Sequence, residues 1–208
     1  MTDPKRVVAE GYDRMADRFA EWQTEVRGMT GMLRTEELLW LLPELPDVLE
    51  LGIGAGAEQS LLLGSRARLT GVDLSGEQLR RARPRLPDAR LIQADMTQLD
   101  FDEASCDAVV SFYALNHVPR EELGPLVAAI ARWLRPGGYL LSAFGTGDTP
   151  AWQGEWLGVQ MFFSGFEPPA NDELVREAGL DLLRSEVETI HEPEGDARFH
   201  WALAQKPG

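Results

Sequence analysis

The stretch Asp47-Val48-Leu49-Glu50-Leu51-Gly52-Ile53-Gly54-Ala55-Gly56-Ala57 constrains this chain more than any other. An apolar run of strand length enters a glycine-rich turn and then a helix. Glycine has no Cβ, so Gly52, Gly54 and Gly56 permit a tight turn and let a ligand lie against bare peptide. The amides that open the next helix then face that ligand. A nucleotide-like cofactor is the first expectation. Gly52, Gly54 and Ala57 also satisfy the G-x-G-x-x-G/A dinucleotide pattern, and a plain strand-to-helix turn is a third reading, so the neighbouring segments must decide.

Those segments repeat one theme. A helix from about Ala57 to Leu63 leads to a second strand, Arg68 to Asp73, that ends at an acid. Ser75 and Gln78 have capping-box spacing, which starts a helix just after Asp73 and leaves its carboxylate at the strand's carboxyl edge. Pro84 breaks that helix. A third strand, Ala89 to Ala94, finishes with Asp95-Met96, and a fourth, Asp107 to Phe112, runs into Tyr113-Ala114-Leu115-Asn116-His117-Val118-Pro119. Pro119 suits the start of a helix over 120–134, which Arg135-Pro136-Gly137-Gly138 ends before a fifth strand, Tyr139 to Phe144. Strands alternating with helices at this spacing predict an α/β fold with a doubly wound parallel sheet. Ligands of such sheets bind at the carboxyl ends of the strands. Gly52 to Gly56, Asp73, Asp95 and Ser111 to Tyr113 all lie at such ends, so four loops are expected to converge on one crevice.

At the N-terminus, Val8, Tyr12, Met15, Phe19 and Trp22 are spaced by four, three, four and three, one stripe of an amphipathic helix. It either packs on the domain or closes over a cleft with Tyr12, Phe19 or Trp22 inside. A second helix, roughly Arg34 to Leu42, ends at Pro43. Between Gly145 and Pro169 the pattern turns loop-rich and aromatic, with Trp152, Trp156, Met161, Phe162, Phe163 and Phe166, as expected of a lid. Asn171 is read as the cap of a short helix ending at Gly179. Two β segments, about Leu183 to Ile190 and Arg198 to Ala204, flank Glu194-Gly195-Asp196 as a hairpin.

Charge narrows the partners. With 20 Lys and Arg against 34 Asp and Glu, the net charge of -14 opposes tight binding to nucleic acid or an anionic membrane surface and favours a small substrate. Cys106 is the only cysteine, which excludes an internal disulfide or a cysteine-based metal cluster, fits a reducing cytoplasm, and is expected to be a small buried residue. His117, His191 and His200 are dispersed without matching carboxylates, so no metal site is expected. The opening Met1-Thr2-Asp3-Pro4-Lys5 does not read as an export signal, and no run approaches the ~18 apolar residues of a membrane span. A chain of 208 residues fits one domain: an N-terminal helical cap (1–45), a cofactor-binding core (46–144), an aromatic lid (145–170) and a C-terminal helix and hairpin (171–208).

Taken together, Glu50-Leu51-Gly52-Ile53-Gly54-Ala55-Gly56, Gly71-Val72-Asp73-Leu74-Ser75, Gln93-Ala94-Asp95-Met96, Ser111-Phe112-Tyr113-Ala114-Leu115-Asn116-His117 and Leu134-Arg135-Pro136-Gly137-Gly138 resemble the class I S-adenosylmethionine-dependent methyltransferases. Their order is most similar to the small-molecule branch, of the ubiquinone- and menaquinone-biosynthesis kind. The resemblance implies a Rossmann-like seven-stranded sheet, mostly parallel with an antiparallel C-terminal hairpin. It also implies S-adenosylmethionine as cofactor, S-adenosylhomocysteine as product and a small-molecule methyl acceptor, hydroxyl or amine rather than carbon. It places the cofactor's methionine end against Gly52, Ile53, Gly54 and Gly56, with Glu50 orienting the turn and the ammonium group. Asp73, followed by Leu74, would accept from the ribose hydroxyls, and Asp95 and Met96 would hold the adenine, with Ser111 and Phe112 at the next strand end. Tyr12-Asp13-Arg14-Met15-Ala16 matches a family Tyr-Asp-x-x-Ala pattern whose tyrosine borders the cofactor's carboxylate.

Methyl transfer from a sulfonium asks mainly for an acceptor held in line. The acceptor pocket is expected from Phe19, Trp22, Tyr113, Trp156, Met161 and Phe163. His117 is the candidate base should the acceptor be a hydroxyl, although the family commonly uses a histidine here to support the loop, and Arg120 replaces the family's usual acid. Two other readings remain at this stage. A nicotinamide-dependent oxidoreductase shares the glycine turn and Asp73, but does not explain Asp95-Met96. With Lys5 and Lys206 the only lysines, it also has no Tyr-x-x-x-Lys pair. A non-catalytic S-adenosylmethionine-binding partner subunit would share every cofactor residue.

Overall fold

The computed structural model of the protein describes residues 3–26 and 30–208. Met1 and Thr2, at the start of the segment read as lacking an export signal, and Arg27, Gly28 and Met29 of the N-terminal cap lie outside the described residues. The first strand β1 (Asp47–Leu51) pairs in parallel with β2 (Arg68–Asp73) on one side and β4 (Cys106–Ser111) on the other. Beyond these lie β3 (Arg90–Gln93) and β5 (Leu134–Gly145), and the two long strands β8 (Asp181–Glu192) and β9 (Gly195–Gln205) add antiparallel to β5. The order is β3-β2-β1-β4-β5-β9-β8. The winding reverses between β1 and β4, which is where such a sheet opens a crevice at its carboxyl edge.

Helices cover both faces. α5 (Arg120–Trp133) buries Leu123, Leu126, Val127, Ile130 and Ala131, a stripe at helical spacing, against Leu49, Leu51 and Val109 of the sheet. On the opposite face α2 (Gly31–Leu41), α3 (Glu58–Arg66) and α4 (Gly76–Arg85) surround a second core that includes Leu38, Leu63, Leu79 and Trp201. Ser75 caps α4, its hydroxyl accepting from the Gln78 amide at 3.1 Å as the capping-box spacing predicts. Among the described residues no helix is long and apolar enough to cross a membrane.

The expected aromatic loop is instead a β-ribbon. β6 (Thr149–Trp156) and β7 (Val159–Gly165) form a separate two-stranded sheet closed by Leu157-Gly158, both at positive φ (47° and 74°), the backbone of a tight hairpin turn. Met161 and Phe162 are both buried, so β7 packs on two faces and shows no period-two alternation for the sequence to reveal, while β6 is largely exposed. α1 (Pro4–Glu25) lies across β7. A Cβ on Gly11 would stand 2.4 Å from Met161 Sδ, so the absence of a side chain there is what lets helix and strand approach. Met15, Val159 and Met161 make a third small core between them.

Asn171 is also corrected. It is not a cap: α6 (Pro168–Glu177) begins at Pro168, whose fixed φ suits the first turn, and Asn171 is buried inside it, donating to Gly145 O and Phe166 O. Leu134 pairs with Cys106 and Tyr139 with Ala108, so the Arg135 to Gly138 turn predicted before the fifth strand survives as a register break within β5.

Ile130 is fully buried under the sheet, whereas Trp40 on α2 is 88% exposed. Ile130→Ala is expected to cost roughly 2–5 kcal/mol in urea unfolding, and Trp40→Ala to stay within about 0.5 kcal/mol of wild type.

Candidate cofactor and acceptor site

One cavity of about 380 Å³ opens at the carboxyl edge of β1, β2 and β4, of a size suited to small-molecule ligands. Its floor is the glycine turn. The Gly52 and Ile53 amides both donate to Val72 O, at 2.8 and 3.0 Å, which folds the chain back over the end of β2. Gly52 has φ +77°, and a Cβ there would lie 2.2 Å from that of Ala114. Gly54, at φ +56°, has only Gln78 Oε1, 3.9 Å away, near the position of its missing Cβ, so its backbone is bare to the cavity. Gly56 is different. It does not line the cavity; its missing Cβ would meet Leu86, 2.9 Å away, so it serves the packing of the turn on α4's end.

Acids surround this floor. Asp73 receives the Gly54 amide on one oxygen (2.8 Å) and the Ser75 amide on the other (2.9 Å), yet burial raises its pKa above the ordinary carboxylate range despite these donors. Glu50, 2% exposed, receives the Ser60 hydroxyl on Oε1 at 2.7 Å and has no partner on Oε2. Burial, reinforced by repulsion from Asp73 and opposed by Ser60, pushes its pKa up to about 8. Gln78 Nε2 and Asn116 Oδ1, from two other cavity-lining residues, are likewise buried without partners. A wall with an unmet donor, an unmet amide acceptor and a buried carboxyl whose unpartnered oxygen a neighbouring cation would ionise suits a ligand that is polar and cationic at that end. S-adenosylmethionine, with an ammonium, a carboxylate and a sulfonium, has that chemistry.

At the other side of the floor Asp95, Met96, Leu74 and Phe112 line the cavity. Asp95 accepts from the Thr97 amide and hydroxyl, both at 2.9 Å, and pairs with Lys5 at 2.7 Å. Burial would raise its pKa, but Lys5 and Thr97 outweigh burial and hold it below the usual value. Ser111 lies outside the lining. Its hydroxyl is spent on Leu51 O (2.9 Å), joining β4 to the end of β1, where it is wholly buried.

The roof comes from α1, β6–β7 and the β8–β9 ribbon. Tyr12, Phe19, Trp22, Trp156 and Phe163 line it as a connected group of rings, and Tyr113 borders it from the end of β4. Met161 does not. It shares a strand face with Phe163 but lies one step further along β7, wholly buried against Gly11 of α1. The alternatives for the N-terminal helix thus resolve into both at once, since Met15 packs inward while Tyr12, Phe19 and Trp22 reach the cavity.

His117 also lines the cavity, but neither ring nitrogen is free. Nδ1 lies 2.8 Å from Phe162 O, which can only accept, so Nδ1 carries the proton; the Tyr12 hydroxyl, 2.9 Å from Nε2, then donates to it. Burial pushes the histidine's pKa down to about 4, against the raising effect of the Phe162 bond, and burial raises that of Tyr12. The ring therefore ties α1 to β7. His200, 3.1 Å from Asp172, is buried in packing, and exposed His191 pairs with Asp196.

Lys5, Ser60, Gln78, Asn116 and Glu192 were not singled out from the sequence. Gln78 was legible only as a capping partner and Asn116 only as part of a motif, while Lys5 meets residues some 90 to 117 positions away, a pairing without a local signal.

The family described as "Methyltransferase domain" matches residues 49–142. A phosphatidylethanolamine N-methyltransferase of Cereibacter sphaeroides is 37% identical over 97 residues, 44% of this chain and 46% of that protein. A dTDP-3-amino-3,4,6-trideoxy-alpha-D-glucopyranose N,N-dimethyltransferase of Streptomyces venezuelae is 33% identical over 100 residues, 48% of this chain and 42% of that protein. The chain's matches thus span less than half the length of these relatives. In fold, it is similar to the Burkholderia thailandensis 1,6-didemethyltoxoflavin-N1-methyltransferase solved with bound 1,6-didemethyltoxoflavin and S-adenosylhomocysteine, with TM-score 0.68, 21% identity and coverage of 100% of this chain and 92% of that one. Residues 49–142, just under half of the chain, thus match the methyltransferase domain, and the chain as a whole is similar in fold to solved methyltransferases.

Proposed function

We propose that the protein transfers the methyl group of S-adenosylmethionine to a hydroxyl or amine of a small molecule held under the aromatic roof. The observation that carries this reading is the cavity itself, where the glycine turn, Glu50, Asp73 and Asp95 meet an aromatic compartment in one continuous space. The bound cofactor supplies an electrophilic methyl: the acceptor's lone pair forms the new bond to carbon as the carbon–sulfur pair leaves on sulfur, and the acceptor gives up one proton.

The chain's own residues bind and orient. Gly52 and Gly54 let the methionine end approach the backbone, and Glu50 with its free oxygen takes the ammonium. Asp73 keeps lone pairs for the ribose hydroxyls beyond its two amide donors. An adenine amino group at Asp95 would share that carboxylate with Lys5, so Lys5 sets the orientation of the adenine acceptor. Tyr12 borders the methionine end with its hydroxyl aimed by His117. With both nitrogens engaged and a pKa near 4, His117 acts in this reading as a positioning residue rather than as the proton acceptor. Phe19, Trp22, Tyr113, Trp156 and Phe163 exclude water and hold the acceptor in line. The two N-methyltransferase relatives and the toxoflavin enzyme act on nitrogen of small or lipid molecules by name, which favours an amine within this class.

Isothermal titration with S-adenosylhomocysteine, beside NADH, tests the cofactor. Binding of the adenosyl ligand alone is expected, weakened by roughly 10- to 100-fold in Asp73→Asn, which removes a charged acceptor. Binding of NADH instead would overturn the reading in favour of an oxidoreductase, and tight S-adenosylhomocysteine binding with no methyl transfer across an amine and alcohol panel would favour a non-catalytic binder.

The raised Glu50 pKa adds a pH signature. In the free protein this carboxyl is mostly protonated at pH 7, and a ligand ammonium beside it favours the carboxylate, so binding releases a proton below about pH 8. Titrations in buffers of different ionisation enthalpy are expected to show this release at pH 7, its decline above pH 8 and its absence in Glu50→Gln. For folding the sign is opposite: the folded state holds this proton where the unfolded chain has lost it, so stability of the free protein falls as pH rises from about 4.5 to 8. Thermal unfolding of Glu50→Gln should lack that slope.

A further inference from the structure

The roof of the cavity carries a charge that the cofactor-binding residues do not use. In the β8–β9 ribbon, Ile190 pairs with Ala197 and Glu192 with Gly195, and all but Gly195 line the cavity. Arg198 also borders it, but pairs with Thr189 one step out of phase, so strand alternation sends its exposed side chain to the other face of the ribbon. The remaining cationic linings are already matched, Lys5 by Asp95 and Glu122, and Arg85 by Glu58. The side chain of Glu192 is partly buried and has no hydrogen bond or ion pair among the described residues. Its charge lies close enough to the Tyr12 hydroxyl to help raise the phenol's pKa, after burial and Asp73.

Rings stand beside it. Tyr12 and Phe19 are 5.1 Å apart edge to face, Phe19 and Trp22 stack at 5.6 Å, and Trp156 lies 5.3 Å from Trp22 and 6.0 Å from Phe19. The Trp22 indole donates to Glu194 at 3.0 Å, which fixes this group against the turn that carries Glu192. An unpaired carboxylate half out of water is unfavourable, and aromatic faces attract cations. Both are satisfied by one ligand feature, a positively charged nitrogen; a neutral hydroxyl would donate a hydrogen bond to the carboxylate but neither neutralise its charge nor engage the ring faces as a cation does. The net charge of -14 further draws cations to the protein.

We infer that the methyl acceptor is an amine that enters as a cation and is held between the Glu192 carboxylate and the rings of Tyr12, Phe19, Trp22 and Trp156. This rests on the methyltransferase reading and narrows its acceptor to one chemical class. An ammonium nitrogen has no lone pair, so one proton leaves before transfer; Glu192 accepts it, and the N–H electron pair stays on nitrogen.

The test titrates phenethylamine and 2-phenylethanol, alike in shape and different in charge, into protein saturated with S-adenosylhomocysteine. Wild type is expected to prefer the amine by about tenfold or more. Glu192→Gln should bring the two within about twofold while S-adenosylhomocysteine affinity, which reports the fold, stays unchanged; Glu192→Ala is the second variant with the same expectation. Equal affinities in wild type, no amine binding to the loaded protein, or a preference that survives in either variant would overturn the inference and leave the cofactor reading standing. Failure of wild type to bind S-adenosylhomocysteine would overturn both.

Discussion

Two amides on one carbonyl hold the site together. Gly52 N and Ile53 N both donate to Val72 O, so the chain leaving β1 is folded over the end of β2 before α3 can begin. That reversal requires the positive φ of Gly52, leaves the Gly54 amide to Asp73, and sets Glu50 beneath the turn with one oxygen unpartnered. The parallel pairing of β1 with β2 and β4 carries this arrangement to the point where the winding reverses. Everything else in the cavity is placed relative to that corner.

Cover comes from elements outside the parallel sheet, and polar contacts tie it down at both ends. Lys5 reaches Asp95 and Glu122 near the start of α1, Asp13 receives the Ser75 hydroxyl and Glu77 amide midway, and Arg81 pairs with Asp17. Trp22 meets Glu194 near the helix end. Most of these contacts are partly exposed and individually weak. Their placement along one helix sets where Tyr12, Phe19 and Trp22 stand, which matters more for the site than their sum does for stability.

The acids of the cavity divide by environment. Asp95 is compensated by Lys5 and stays readily ionised, whereas Glu50 and Asp73 are desolvated beside one another and are pushed toward the neutral form. Glu192 lies at the roof, raised to about 7 by burial and by Glu194. A cation entering at either end therefore meets a carboxyl that becomes a better anion in its presence, and binding and proton release are linked.

Much of the fold was readable because it is local. The alternation of β1 to β5 with helices, the Ser75 cap, the glycine turn and the acids ending β2 and β3 each depend on residues a few positions apart, and period, capping and φ preference act over that range. The same local signals misled where packing overrode them. Met161 sits in an aromatic run yet faces the α1 backbone, the run itself is a ribbon whose second strand is buried on both sides, Asn171 lies within α6, and Ser111 and Gly56 serve packing rather than the cavity. By itself the sequence determined the sheet, its glycine corner and the acids around it, since short-range sterics and hydrogen bonding specify those. Only the tertiary structure decided that Lys5 meets Asp95, that His117 is locked between Tyr12 and Phe162, and that Glu192 faces a wall of rings. Those partners are 36 to 180 positions apart, and the burial that gives each contact its strength exists only once the chain has folded.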